Sequence, residues 1–226
     1  MLEPWKILFA RALAQLGQSG LAQNNWALGG GTVLMHNFNH RESKDIDIFF
    51  TDPQLLNFIS PRINDAVATS LADYSEQGHY TRLHFKEGEI DFIVARQVSR
   101  MQASFIKISG AVVNVEHPVE VVAKKIYYRA EEFKPRDVFD LAVVFNAQKD
   151  SILENADAFA EKLSVLVHRL NELQDSGSLD VMLSKLAVLP GGEKVRGKEL
   201  ELCRQFIQLV EKELKSDHFF NGNTYR

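Results

Sequence analysis

The chain has 226 residues, 45% of them apolar and 25% charged, with a net charge of −4. That size and mix suit a folded chain with a real core and exclude disorder, and the slight negative charge excludes an overall basic surface for nucleic acid. The single cysteine, Cys203, excludes an internal disulfide, and no stretch reaches the ~18 apolar residues of a membrane span, so a cytoplasmic protein with no membrane contact is expected.

Pro4 opens a predicted helix whose apolar stripe runs through Trp5, Leu8, Phe9, Leu13 and Leu16 and stops at Gly17 and Gly20. Trp26-Ala27-Leu28 reads as a short strand entering Gly29-Gly30-Gly31-Thr32, with Thr32 placed to cap a helix over Val33 to Phe38. Asp45 to Phe50 alternates as a strand. Pro53 opens a helix over Leu55, Leu56, Ile59, Ile63, Val67 and Leu71. Tyr80 to Phe85 and Glu89 to Val94 form a hairpin around Lys86-Glu87-Gly88, and Ala111 to Val115 is a further strand.

After Pro118 the periodicity turns helical, over 119–129, 136–147, 152–173, 179–189 and 197–215, with breaks at Lys134-Pro135, Asp175-Ser176-Gly177 and Pro190-Gly191-Gly192. The reading is an α+β protein: a mixed sheet with flanking helices over residues 1–116, then a helical domain over 117–226.

Two constellations carry chemistry. In the first, glycines between a strand and a helix let backbone amides approach phosphate oxygens at a helix N-terminus, and Thr32 adds a hydroxyl. Asp45 and Asp47 then share one face of a strand, Cα atoms ~6–7 Å apart. Their mutual repulsion favours a bound divalent cation, and hard Mg²⁺ takes carboxylates together with phosphates. Asp91, or Glu89 beside it, adds a third carboxylate if its strand lies next to Asp45–Asp47. A plain glycine turn and solvated strand acids account for the same residues taken singly.

The second constellation is the basic stretch Lys124, Lys125, Arg129, Lys134 and Arg136. Lys125 and Arg129, four apart, share a helix face that either meets phosphate or is solvated. Arg136 and Asp140 are also four apart, which an ordinary helix-internal ion pair would explain. His36 and His40 would share a face if the short helix ran that far, but Asn39 argues for a loop. Cys203 falls on the apolar side of the last helix, with Leu202, Phe206 and Val210.

Together, Gly30-Gly31-Thr32-Val33-Leu34 with Arg41-Glu42-Ser43-Lys44-Asp45-Ile46-Asp47, and Lys125-Ile126 with Arg136-Asp137-Val138-Phe139-Asp140-Leu141, resemble the motifs of the AbiEii/AbiGii-type nucleotidyltransferase toxins. That family belongs to the polymerase-β-like superfamily. The resemblance implies that fold and a metal-dependent transfer of a nucleotidyl group from a nucleoside triphosphate to a hydroxyl of RNA, tRNA included, or of protein. It also implies Mg²⁺ or Mn²⁺ and an antitoxin partner, as in toxin–antitoxin or phage-defence systems. By position, Gly30, Gly31, Thr32, Ser43 and Arg136 would hold the nucleotide and Asp45, Asp47 and Asp91 the metal, with Lys125 and Asp140 completing the catalytic set. Gly29, an extra glycine, and Lys124, beside Lys125, depart from the pattern. The other readings are an inactive binding module that keeps the fold, and a metal-dependent nuclease built on the three aspartates.

Overall fold

Pro4 fixes φ for helix entry and forfeits only an amide that a helix start leaves unbonded. The first helix, α1, accordingly spans Pro4–Gln18 and buries Leu8, Phe9, Ala12 and Leu16. The computed structural model describes residues 3–63, 71 and 73–221, with side chains described to residue 216. Two compact units divide these residues: Met1–Asn37 with Glu42–Gln97 and Gln102–His117, and Phe38–Arg41 with Val98–Met101 and Pro118–Arg226.

The first unit is built on a seven-stranded sheet in the order β3-β4-β5-β2-β1-β7-β6. The strands are β1 (Ala27–Gly29), β2 (Ile46–Phe50), β3 (Asp73–Gln77), β4 (Tyr80–Phe85), β5 (Gly88–Val94), β6 (Ser104–Ile108) and β7 (Ala111–Val115). β2 runs parallel to β5, and β1 parallel to β7; the remaining pairs are antiparallel. Helix α2 (Gly30–Phe38) leaves β1 directly, and α1 packs on β2 and β5. Ile46, Ile48 and Phe50 alternate into the core from β2, as their spacing predicts, and Phe50 stacks on Phe92 of β5 with ring centroids 6.2 Å apart.

Both edge strands escaped the sequence reading. β3 (Asp-Tyr-Ser-Glu-Gln) carries no apolar alternation and buries no residue fully; it exists because β4 pairs with it across a tight turn. β6 is held likewise by β7, through Ser109 (φ 48°) and Gly110 (φ 92°). Two consecutive positive φ values suit the hairpin turn that matches strand twist.

The helix expected from Pro53 to Leu71 is, in its described part, a 3-10 turn over Pro53–Phe58, where Asp52 accepts the Gln54 N–H at 2.8 Å. Leu56 and Ile59 of the expected stripe are buried, but Ile63 is 68% exposed, so the packed face does not run on past Ile59 to Ile63. Its middle, 64–70, lies outside the described residues.

The second unit is helical. Its helices span Pro118–Arg129, Pro135–Ala147, Lys149–Leu153, Asp157–Ala160, Leu163–Asp175, Ser178–Leu183 and Glu199–Asn221. The helix expected over 152–173 is three pieces. Asn155, 3% exposed, donates to the Ser151 carbonyl and accepts the Arg100 N–H, both at 2.8 Å, and so turns the chain where periodicity would continue it. The helix expected over 179–189 stops at Leu183, because Val188 pairs with Arg41 as a lone bridge and the Leu189 N–H donates to the His40 carbonyl at 2.9 Å. Phe206 packs edge-on to Phe145 and Phe159, and Cys203 is fully buried beside them. Among the described residues no helix is long and apolar enough to cross a membrane.

Candidate active site

The glycine turn is shaped around carboxylates. Gly30 begins α2 with φ 67°, a conformation that L side chains rarely adopt. A Cβ there would collide with the side chain of Asp47, lying 2.8 Å from its Cβ and closer still to its carboxylate. A Cβ on Gly29 would strike the Glu116 carboxylate and lie 2.6 Å from the Phe49 ring. The Asp47 carboxylate therefore sits beside the first residue of α2, where unbonded amides amount to about half a positive charge. That field offsets the repulsion that several acids at one sheet end would otherwise suffer.

Register sets the acids side by side. Asp47 pairs with Gly29 of β1 on one flank and with Asp91 of parallel β5 on the other. Asp45, just before β2, accepts the Glu89 N–H through Oδ1 at 3.1 Å. Thr32 is not the cap its position suggests: α2 already starts at Gly30, and the buried Thr32 hydroxyl donates to the Asp45 carbonyl at 2.6 Å. It fixes the backbone ahead of the first aspartate, and that bond spends the proton foreseen for a phosphate. Ser43 donates its N–H to the Met35 sulfur at 3.2 Å, tying the same approach to α2.

Asp91 is 8% exposed, and both its oxygens are taken by Arg82, directly across the β4–β5 pair: Nε to Oδ1 at 2.6 Å and Nη2 to Oδ2 at 2.7 Å. Its hydrogen bonds to Asp91 push the pKa of Arg82 up, against the opposite pull of burial. Among the described residues no three His, Cys, Asp or Glu side chains converge as a metal cage. Asp45 and Asp47, two residues apart at the start of β2, are hard oxygen donors of the kind that take a divalent cation together with substrate phosphates. Asp91 fits poorly as a further ligand, because both its oxygens already accept from Arg82, whose positive charge would repel a cation placed beside them.

In the second unit, Lys125 of helix Pro118–Arg129 donates to Asp137 at 2.8 Å and also to Asp140, both on helix Pro135–Ala147. Asp140 further receives Arg41 through two bonds, of 2.6 and 2.7 Å, and His40 Nε2 at 2.8 Å. Asp137 takes Arg129 at 2.7 Å and the Lys134 N–H at 3.1 Å, the reciprocal half of a capping box. Both aspartates are fully buried, and Lys125 is 7% exposed. Burial alone would raise their pKa values. For Asp140 the charges of Arg41 and Lys125, with bonds from His40 and Arg41, outweigh burial and hold the carboxyl well below its ordinary range. Lys125 and Arg129 do the same, less strongly, for Asp137.

This network corrects two sequence readings. The pair expected between Arg136 and Asp140 gives way to partners from elsewhere in the chain, with Arg136 exposed. The basic stretch is not a solvated face at Lys124 and Lys125, which are buried. His40 stands outside α2, after Asn39 at φ 49°, stacked on Phe139 and bonded to Asp140. The sequence reading missed Arg82 and Glu116. The expected three-residue turn Lys86-Glu87-Gly88 would set Leu83 opposite Asp91. The chain turns on Lys86-Glu87 alone, with Gly88 already in β5, and that shift brings Arg82 there, while Glu116, at a strand end, had no signal.

The mixed sheet, the glycine turn from β1 into α2 and the paired strand acids define a nucleotidyltransferase fold. Among solved structures the chain is similar to the antibiotic-resistance factor ANT(2'')-Ia in solution, with TM-score 0.53 and 14% identity over 74% of this chain and 96% of that one. A crystal structure of ANT(2'')-Ia in complex with adenylyl-2''-tobramycin gives TM-score 0.49 and 13% identity, over 69% and 97%. A candidate nucleotidyltransferase from H. pylori gives TM-score 0.49 and 19% identity, over 96% and 98%. No curated protein matches the chain. The profile of the nucleotidyl transferase AbiEii toxins, of type IV toxin–antitoxin systems, matches residues 11–186. The chain belongs to that family.

Proposed function

We propose that the protein transfers a nucleotidyl group from a nucleoside triphosphate to a hydroxyl of RNA or protein, and that an antitoxin partner restrains it. One observation carries the reading: register sets Asp47 between the Gly29-Gly30 turn and Asp91, with its carboxylate against Gly30 and Asp45 two residues before it, bonded to the Glu89 N–H. In the proposed reaction the acceptor oxygen attacks the α-phosphorus, the bond to the β-phosphate oxygen breaks, pyrophosphate leaves and the hydroxyl proton is lost. A divalent ion on Asp45 and Asp47, Mg²⁺ or Mn²⁺, would neutralise triphosphate charge. Gly30 and Gly31 would admit the triphosphate at the start of α2, with Thr32 and Ser43 keeping the approach to Asp45 in place. Lys125 and Asp140 would act from within their ion network, holding helix Pro118–Arg129 on helix Pro135–Ala147.

The Arg82–Asp91 pair favours a second reading, an inactive member that keeps the fold and binds without turnover. One experiment separates the two: each α-labelled nucleoside triphosphate with Mg²⁺ and either total RNA or RNA-depleted lysate, for wild type and for an Asp45→Asn, Asp47→Asn double variant. Label transferred by wild type alone supports the enzyme and identifies the acceptor. Absence of label in every combination, or equal label from the double variant, overturns it.

A further inference from the structure

We propose that Arg82 occupies the place on Asp91 that a second divalent ion would take, so that this chain works with one ion, on Asp45 and Asp47, and with a built-in guanidinium beside it. The proposal rests on the nucleotidyltransferase reading. Three strand carboxylates are a donor set suited to two ions, one for the attacking oxygen and one for the triphosphate. Asp91 has the right address for that role, as register partner of Asp47 on parallel strands ~4.8 Å apart. What it lacks is a free chelating edge, because each of its oxygens already accepts from Arg82.

The bidentate bond from Arg82, with both distances below 2.8 Å, is the strongest geometry a carboxylate and a guanidinium can adopt. Arg82 comes from the residue opposite Asp91 on β4, so the sheet itself aligns the pair. Its guanidinium also lies 3.4 Å from Glu89 and 5.9 Å from the centre of the Tyr80 ring. The Asp91 side chain is 12% exposed and that of Arg82 40%, so solvent and substrate meet the cation rather than the acid. A guanidinium keeps its charge at every relevant pH and cannot be chelated away. Arg82 is therefore a positioning residue: it orients Asp91 and presents fixed positive charge at that neighbour of Asp47.

The test is the number of Mn²⁺ ions bound by the full chain, read from the electron paramagnetic resonance of free Mn²⁺ with and without a non-hydrolysable triphosphate. With nucleotide, wild type is expected to bind one ion, Arg82→Gln two, and Asp91→Asn one with an affinity within about threefold of wild type. Two ions in wild type, one in folded Arg82→Gln, or a loss beyond about tenfold in Asp91→Asn would overturn the proposal while leaving the nucleotidyltransferase reading intact. No ion in wild type even with nucleotide would overturn both. Should Arg82→Gln not fold, Asp91→Asn decides alone: unchanged binding supports the proposal, and lost binding sinks it.

Discussion

Arg41 and Asp140 stand 99 positions apart in the chain and meet through two parallel hydrogen bonds, Nε to Oδ1 at 2.6 Å and Nη2 to Oδ2 at 2.7 Å. Around that pair Lys125 and His40 complete the shell of Asp140, and Lys125 and Arg129 share Asp137. Lys125 and Asp140, proposed above to act in the reaction, thus belong to a buried charge network, and this leads to stability predictions separate from activity.

Asp140→Ala leaves Arg41 and Lys125 buried without their shared carboxylate, and Lys125→Ala leaves two acids facing each other. Breaking a buried ion pair by removing one partner costs about 3–5 kcal/mol. Urea unfolding of each variant should show a loss in that range. A loss below about 1 kcal/mol, the range of an exposed pair, would mean the network is not a structural tie.

Acid should weaken the fold in two stages. His117 has its pKa lowered by burial, so the unfolded chain takes up that proton first. Stability from it is whole above the ordinary histidine value, near pH 6.5, and declines as pH falls toward the depressed one. The lowered pKa values of Asp140 and Asp137 add stability that is whole above the ordinary value of 3.8 and is lost only as pH falls below it. Melting temperature followed from pH 8 to 3 should therefore fall in both windows, and His117→Asn should flatten the upper one. A melting temperature that rises from pH 7 to 5 would contradict the assignment.

Gly30→Ala should fail where Gly110→Ala is tolerated. Both residues have positive φ, 67° and 92°, which costs alanine roughly 1–2 kcal/mol. Only at Gly30 does the new methyl also collide with Asp47; at Gly110 there is nothing within 4 Å. Gly30→Ala should accordingly be the less stable of the two and lose nucleotidyl transfer, while Gly110→Ala keeps it. Wild-type labelling by Gly30→Ala would remove the turn from the site.

Glu120 is 3% exposed and accepts the N–H groups of Val98 and Ser99, at 2.9 and 2.7 Å, and the Ser99 hydroxyl at 2.6 Å. Glu120→Ala strands three donors, and hydrogen bonds to a charged group contribute about 1.5–3 kcal/mol each before relaxation. A loss of about 3 kcal/mol and faster proteolysis within residues 96–102 are expected. Unchanged cleavage there, with wild-type stability, would show that water replaces the carboxylate without cost.

What the sequence by itself determined is local. Period-two alternation defines β2 and β5, and glycine with proline mark the turn into α2 and the helix starts at Pro4, Pro118 and Pro135. The hairpin between β4 and β5 is legible too, but not its register: a Lys86-Glu87-Gly88 loop would set Leu83 opposite Asp91, and only the tighter turn on Lys86-Glu87 sets Arg82 there. The tertiary structure decided everything that depends on where the chain returns. The parallel pairing of β2 with β5 places Asp91 beside Asp47 across 44 positions. Lys125 reads the same, as a lysine on a helix face, whether water or two aspartates meet it; only the packing of a second helix and of residues 38–41 makes it a buried ion pair. Asn155 and Val188 end helical periodicity for the same reason, because a partner distant in sequence outbids the next turn of helix. Turn chemistry and periodicity are properties of neighbouring residues, whereas a charge takes its meaning from the groups that desolvate it, and those are chosen by the fold.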